Sequence, residues 1–193
     1  MLAPGTAFTP PQRADLLAIA RRAIRERVRG LPLSNVTPED SGLRAPGAAF
    51  VTLTRAGALR GCIGYVHAIQ PLAEAVGHAA ASAATGDPRF PSVTAAELTE
   101  IGIEISVLSP LHRVTDAVEV RVGIHGLHIS QDDRRGLLLP QVATEYGWDR
   151  EMFLRQTCIK AGLPPDAWRH GAELQVFTVE HITDGLPVGT GDA

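Results

Sequence analysis

Residues 49–67 hold two runs of β-forming residues separated by a dipeptide that can turn. Ala49-Phe-Val-Thr-Leu-Thr-Arg55 comes first, Ala56-Gly57 follows, and Leu59 to His67 returns. This spacing predicts a β-hairpin, in which strands adjacent in sequence pair with each other. A sheet begun this way is committed to antiparallel pairing. Parallel strands would each need a crossover of a dozen residues or more, so a doubly wound sheet is disfavoured.

The rest of the chain agrees with a mixed architecture. Leu16, Leu17, Ala20, Ala23, Ile24 and Val28 recur at three- and four-residue intervals, the mark of an amphipathic helix. Thr9 suits its N-cap, Pro10 or Pro11 its first turn, and Gly30 with Pro32 its end. Residues 31–47 read as a loop. Pro71 opens a second helix to about Thr85, with Gly86 after it. Thr94-Ala-Ala-Glu97 is a capping-box pattern. Ile101 to Leu108 alternates as a strand and stops at Pro110. Val118–Ile124, Gly126–Ser130 and Gly136–Leu139 read as short strands, the last closed by Pro140. Asp149 caps a helix through Lys160, and Leu174–Glu180 is a final strand. The expected fold class is α+β, mainly antiparallel sheet flanked by helices. The glycine-rich tail, 186–193, is expected to fray.

Composition narrows the function. The 193 residues favour one domain, and 45% hydrophobic with 20% charged is ordinary for a globular protein. The formal net charge of -3, the scattered arginines and the 5% aromatic content argue against nucleic-acid binding, which needs a basic surface and stacking platforms. Lys160 is the sole lysine. No run of about 18 apolar residues predicts a membrane span. The N-terminal stretch lacks the basic start and apolar run of an export signal, so the expected compartment is the reducing cytoplasm, with Cys62 and Cys158 as free thiols.

The chemistry centres on LRGCIG, residues 59–64. On a regular strand Arg60 and Cys62 share one face while Leu59 and Ile63 share the other. A guanidinium beside a thiol favours the thiolate, the nucleophilic form. Gly61 and Gly64 leave backbone bare, so a ligand could approach and its anionic oxygen could meet peptide N–H groups. The same residues fit a second reading: a small, buried thiol in a tightly packed hairpin, with the glycines marking a bulge. Asp87-Pro-Arg-Phe-Pro91 is braced by two prolines, and Arg89 there can hold a carboxylate or phosphate, or else bridge internally to Asp87. Glu104 and Ser106 alternate with Ile103, Ile105 and Val107, which sends them to the polar face of their strand. The seven histidines form no ligand set, and His125-Gly-Leu-His128 is a poor metal pair because three-residue spacing on a strand splits its faces. No metal or nucleotide cofactor is expected from any motif.

These residues resemble the signature of the AMMECR family. LRGCIG (59–64), DPRF (87–90), EISVLSP (104–110), RGLLLPQVA (135–143), GWDREMFL (147–154) and KAGLPPDAW (160–168) look like family blocks in family order. Together they span about 10–185 and identify residues 1–193 as a single AMMECR-like domain. In bacteria and archaea the domain appears as protein A of the AmmeMemoRadiSam system. The resemblance implies two lobes with a cleft between them, and a functional site at Arg60, Gly61, Cys62, Ile63 and Gly64, with Asp87, Pro88, Arg89, Glu104 and Ser106 as matching residues. It also implies company with a Memo-type protein, itself similar to extradiol dioxygenases, and a radical-SAM protein.

Two functions are therefore expected to compete. The first is an enzyme acting on a small polar or anionic substrate, with Cys62, Arg60 and Glu104 as catalytic candidates and Gly61, Ile63, Gly64, Asp87, Arg89 and Ser106 binding the substrate. The second is a non-catalytic scaffold for the Memo-type and radical-SAM proteins.

Overall fold

The computed structural model describes residues 7–185; the tail expected to fray lies outside the described residues. The chain forms two compact units. One runs to Leu108 and is rejoined from Glu180, and the other is Ser109–Val179. The fold is α+β, as the hairpin pattern predicts, with two four-stranded sheets.

In the first unit the chain builds α1 (Pro10–Val28), α2 (Ser41–Arg44), β1 (Ala48–Arg55), β2 (Ala58–Tyr65), α3 (Leu72–Thr85) and β3 (Ile101–Leu108). In the second it builds β4 (His112–Val114), β5 (Gly126–Gln131), β6 (Arg134–Leu138), α4 (Pro140–Glu145), α5 (Arg150–Lys160) and β7 (Glu173–Phe177). Strand β8 (Val179–Thr183) then returns to the first sheet, whose order is β2-β1-β3-β8; the second sheet is β4-β7-β5-β6.

Helix α1 starts where a reciprocal cap satisfies its first donors. The Gln12 N–H donates to Thr9 Oγ1 and the Gln12 side chain accepts the Thr9 N–H. Its buried face, Leu16, Ile19, Ala20, Ala23 and Ile24, meets α3. The alanine-rich α3 is buried on most sides, because small side chains admit a helix on one side and the sheet on the other. Gly77 faces α1 as well, where a Cβ would make only an ordinary 3.6 Å contact with Ile19. Beneath the helices lie Val51, Leu53, Ile103 and Ile105, all fully buried. The odd-numbered residues of β1 and β3 thus face the helices, and the even-numbered ones face away. In the second unit a separate core gathers Leu127, Ile129, Phe153, Leu154, Cys158 and Val176.

Two expectations fail locally, and a third holds but is incomplete. Residues 118–124 do not form a strand. Asp116 accepts the Val118 N–H at 2.9 Å and Glu119 returns to the Asp116 N–H, so capping closes a 3-10 turn over Ala117–Glu119. Pro140 does more than close β6: it opens α4, as proline at a first helical position can. The strand expected over 174–180 is two strands. Thr178 breaks it by bonding Ser109 in both directions, N–H to Oγ and C=O to N–H, each at 2.9 Å, and the chain changes sheets there.

Candidate functional site

Strand β2 is an edge strand paired antiparallel to β1. Its register slips once: Leu53 faces Gly61 but Thr54 faces Leu59, which leaves Arg60 as the extra residue of a β-bulge. Regular alternation therefore fails at the point where it would have aligned Arg60 with Cys62. The Arg60 guanidinium goes to Glu97, with Nε 2.9 Å from Oε1 and Nη2 3.2 Å from Oε2, and also donates to the carbonyls of Pro91 and Ser92. Arg55, in phase with the buried Leu53, reaches the same carboxylate at 3.3 Å. The Arg60 fork, helped by the Thr94 N–H, pulls the Glu97 carboxyl down to about 2. Arg60 is thus an anchor for residues 91–97, and the expected Arg60–Cys62 pair does not form.

The glycines have packing reasons. A Cβ on Gly61 would lie 2.2 Å from the Ala83 carbonyl oxygen, so helix α3 occupies that space. A Cβ on Gly64 would lie 2.3 Å from the Phe50 ring, which covers the strand there. Ile63 packs against the core under α1 and α3. The open backbone expected around Cys62 is thus filled on both sides, and Gly61 and Ile63 look toward the helices.

Cys62 itself lies on the other face. Register places it opposite Thr52, and Thr52 opposite Glu104; Gly64, Phe50 and Ser106 form the next row. The thiol is half-buried, and the Thr52 hydroxyl donates to its sulfur at 3.3 Å. With strands spaced about 4.8 Å apart, Cys62 and Glu104 stand about 10 Å from one another across β1. Cys158, by contrast, is sealed in the second core, where burial pushes its thiol up.

The proline-braced loop docks on β2 from outside. Asp87 accepts the Cys62 N–H at 2.8 Å and is gripped by Arg89 through Nε (3.1 Å), Nη2 (2.9 Å) and its own N–H (3.1 Å). The Arg89 fork first, and the Cys62 and Arg89 N–H groups after it, hold the Asp87 carboxyl far below the usual range even though burial opposes them. The internal Asp87–Arg89 bridge weighed from sequence is therefore present. Arg89 keeps a side chain 49% exposed, lies over the Phe90 ring, and is raised above its ordinary value chiefly by its hydrogen bonds to Asp87. The cation near the thiol is Arg89.

One residue of this face escaped the sequence reading. His181, on β8, brings Nδ1 to 3.3 Å from Glu104 Oε1 and 3.2 Å from Ser106 Oγ, while Ser106 donates to the same Oε1 at 3.4 Å. Glu104 raises the His181 ring above its ordinary value, against the effect of burial. Both Glu104 and Ser106 meet the same ring nitrogen, so this is not a Ser–His–acid relay, which uses both. The other histidines stay apart: His67 is exposed beyond the end of β2, and His128 is buried with Nδ1 2.9 Å from Gln175. Among the described residues no three of His, Cys, Asp and Glu converge on a metal position, and no helix is long and apolar enough to cross a membrane.

Comparison with known proteins follows the same residues. The model of the AMMECR1 family matches residues 17–182. A protein of Methanothermobacter thermautotrophicus is 50% identical over 171 residues, covering 84% of this chain and 88% of its own. Protein TK0174 of Thermococcus kodakarensis is 45% identical over 187 residues, covering 90% and 91%. The crystal structure of uncharacterized protein PH0010 from Pyrococcus horikoshii, 39% identical, superposes with a TM-score of 0.81 over 90% of this chain and 92% of that one. The chain belongs to the AMMECR1 family.

Proposed function

We propose that this protein is an enzyme that acts on a small polar or anionic molecule at the Cys62 face of its first sheet. The observation that carries the reading is the Cys62 sulfur, half-buried and hydrogen-bonded by Thr52, on a face that also presents Glu104 and His181, with Ser106 buried between them. The Thr52 hydroxyl holds the sulfur in place on that face. The thiolate pair forms a bond to an electrophilic carbon, and the displaced group leaves with the bonding pair and collects a proton. Arg89, held in place by Asp87 and half exposed, binds the substrate's negative group. Gly61 and Ile63 support this face from behind, Arg60 anchors the neighbouring loop, and Gly64 makes room for the Phe50 ring on the face itself. A reducing cytoplasm would keep the thiol available. The test is genetic and chemical together: metabolites are compared between cells lacking the gene and cells carrying Cys62→Ala, with both expected to accumulate the same small molecule. A folded Cys62→Ala protein that restores the normal profile contradicts the reading.

A second reading has its own support. Arg60, Gly61, Ile63 and Gly64 are each accounted for by a packing or ion-pair contact, as a purely structural hairpin requires. On that reading the chain is a non-catalytic module for a Memo-type protein and a radical-SAM protein. Light scattering of this chain mixed with the Memo-type homologue from the same genome distinguishes the two. A stable complex formed equally well by Cys62→Ala favours the module.

A further inference from the structure

The contacts of His181 assign a role that the cysteine does not fill. Glu104 as a carboxylate only accepts hydrogen bonds, so its 3.3 Å contact requires the proton on His181 Nδ1. Ser106 closes the ring by donating to Glu104. A neutral His181 held this way has its lone pair on Nε2, and the side chain is 41% exposed against 20% for Glu104. The other carboxylates of β8 and its end are engaged elsewhere: Glu180 pairs with Arg13 at 2.7 Å, and Asp184 pairs with Arg21 and caps the Ile103 N–H. Glu104 is therefore the carboxylate that faces this imidazole, and Ser106 is the other polar partner. Cys62 stands two strands from Glu104, and β8 lies one strand beyond, so His181 is too distant to take the thiol proton directly.

We propose that His181, acting through Nε2, is the residue that exchanges protons with a substrate spanning this face, and that Glu104 is a positioning residue that fixes its tautomer. This rests on the enzymatic reading above and refines it, because Glu104 is then not itself the acid–base group. In the exchange Nε2 takes a proton from the substrate while the Nδ1 proton stays shared with Glu104, which stabilises the imidazolium. The proton then passes back to the part of the substrate that lies over β3 and β8, or to water, so the ring is restored; the group displaced at Cys62, three strands away, takes its proton from solvent.

The test uses the full chain with nitrogen-labelled histidine. Ring-nitrogen spectra across pH 5–9 are expected to show neutral His181 protonated at Nδ1, with its signals identified by their loss in His181→Asn or, if that variant unfolds, His181→Gln. Glu104→Gln should move the titration to lower pH and admit the Nε2–H form. Diethyl pyrocarbonate, which bonds to an unprotonated ring nitrogen and releases ethanol and carbon dioxide, should modify His181 with the same pH midpoint as the spectra. An Nε2–H tautomer in the unmodified protein, a titration indifferent to Glu104→Gln, or a ring inert to the reagent overturns the assignment. Alkylation of Cys62 is measured in parallel. A reactive Cys62 beside a wrongly protonated His181 sinks this inference alone, whereas an unreactive Cys62 sinks the reading beneath it.

Discussion

The backbone N–H of Cys62 donates to the Asp87 carboxylate at 2.8 Å, so the thiol's position on an edge strand is fixed by a loop twenty-five residues away. The Asp87 side chain is 2% exposed and accepts four hydrogen bonds, two of them from the Arg89 guanidinium. Replacing Asp87 with Ala leaves the Cys62 N–H without its partner and frees Arg89. We expect a loss of about 1.5–3 kcal/mol in urea unfolding, the cost of a hydrogen bond to a charged group. Cys62 should also exchange its amide hydrogen faster.

Acid should act through the same anchors. The carboxyls of Asp87 and Glu97 lie below their ordinary values in the folded chain, Glu97 at about 2. A depressed folded value stabilises fully above the unfolded value, about 4 for these groups, and is lost as pH falls toward the folded one. Stability measured between pH 5 and 2 should therefore fall steeply. Glu97→Gln should flatten part of that slope while lowering stability at pH 7. An unchanged slope would remove Arg60–Glu97 as an anchor.

Arg60 separates structure from chemistry. With its guanidinium on Glu97, Pro91 and Ser92, Arg60→Ala should cost about 1–3 kcal/mol, since it strips a largely buried carboxylate of its main partner. The alkylation rate of Cys62 should stay unchanged in the same variant. Denaturant titration and mass-spectrometric labelling read the two effects independently.

The two glycines should behave differently. Gly61→Ala pushes a methyl group into a backbone carbonyl, which cannot swing aside, so a loss of about 2–3 kcal/mol is expected. Gly64→Ala meets the Phe50 ring at 2.3 Å, which can move in part, and the Phe50 Cα at 2.6 Å, which belongs to β1 and cannot, so only part of its cost is side-chain cost. Its cost should shrink when Phe50 is also Ala, with a coupling of about 1 kcal/mol in a double-mutant cycle.

The fold was readable because its signals are local. The 49–67 hairpin, the Thr9 cap and the alternation of Ile101–Leu108 each carry their own pattern. The Glu104–Ser106 face follows from that alternation alone. The bulge was legible only as the second reading of the glycines; that it falls at Arg60 and turns this side chain away from Cys62 depends on Glu97 and on the close approach of Ala83, both distant in sequence. His181 was missed for a related reason. The alternating segment over 174–180 reads as one strand, and it is divided at Thr178, where two bonds to Ser109 sit and the chain changes sheets. The Asp87–Arg89 bridge was legible as an alternative, since two prolines hold its backbone, but not its attachment to Cys62.

The most direct measurement is the rate of iodoacetamide alkylation at limiting reagent, followed residue by residue by mass spectrometry over a pH series. Cys158, fully buried, serves as the internal control. The account predicts that Cys62 at pH 7 reacts faster than a free model thiol while Cys158 lags far behind. A Cys62 that reacts no faster than the model thiol would contradict it.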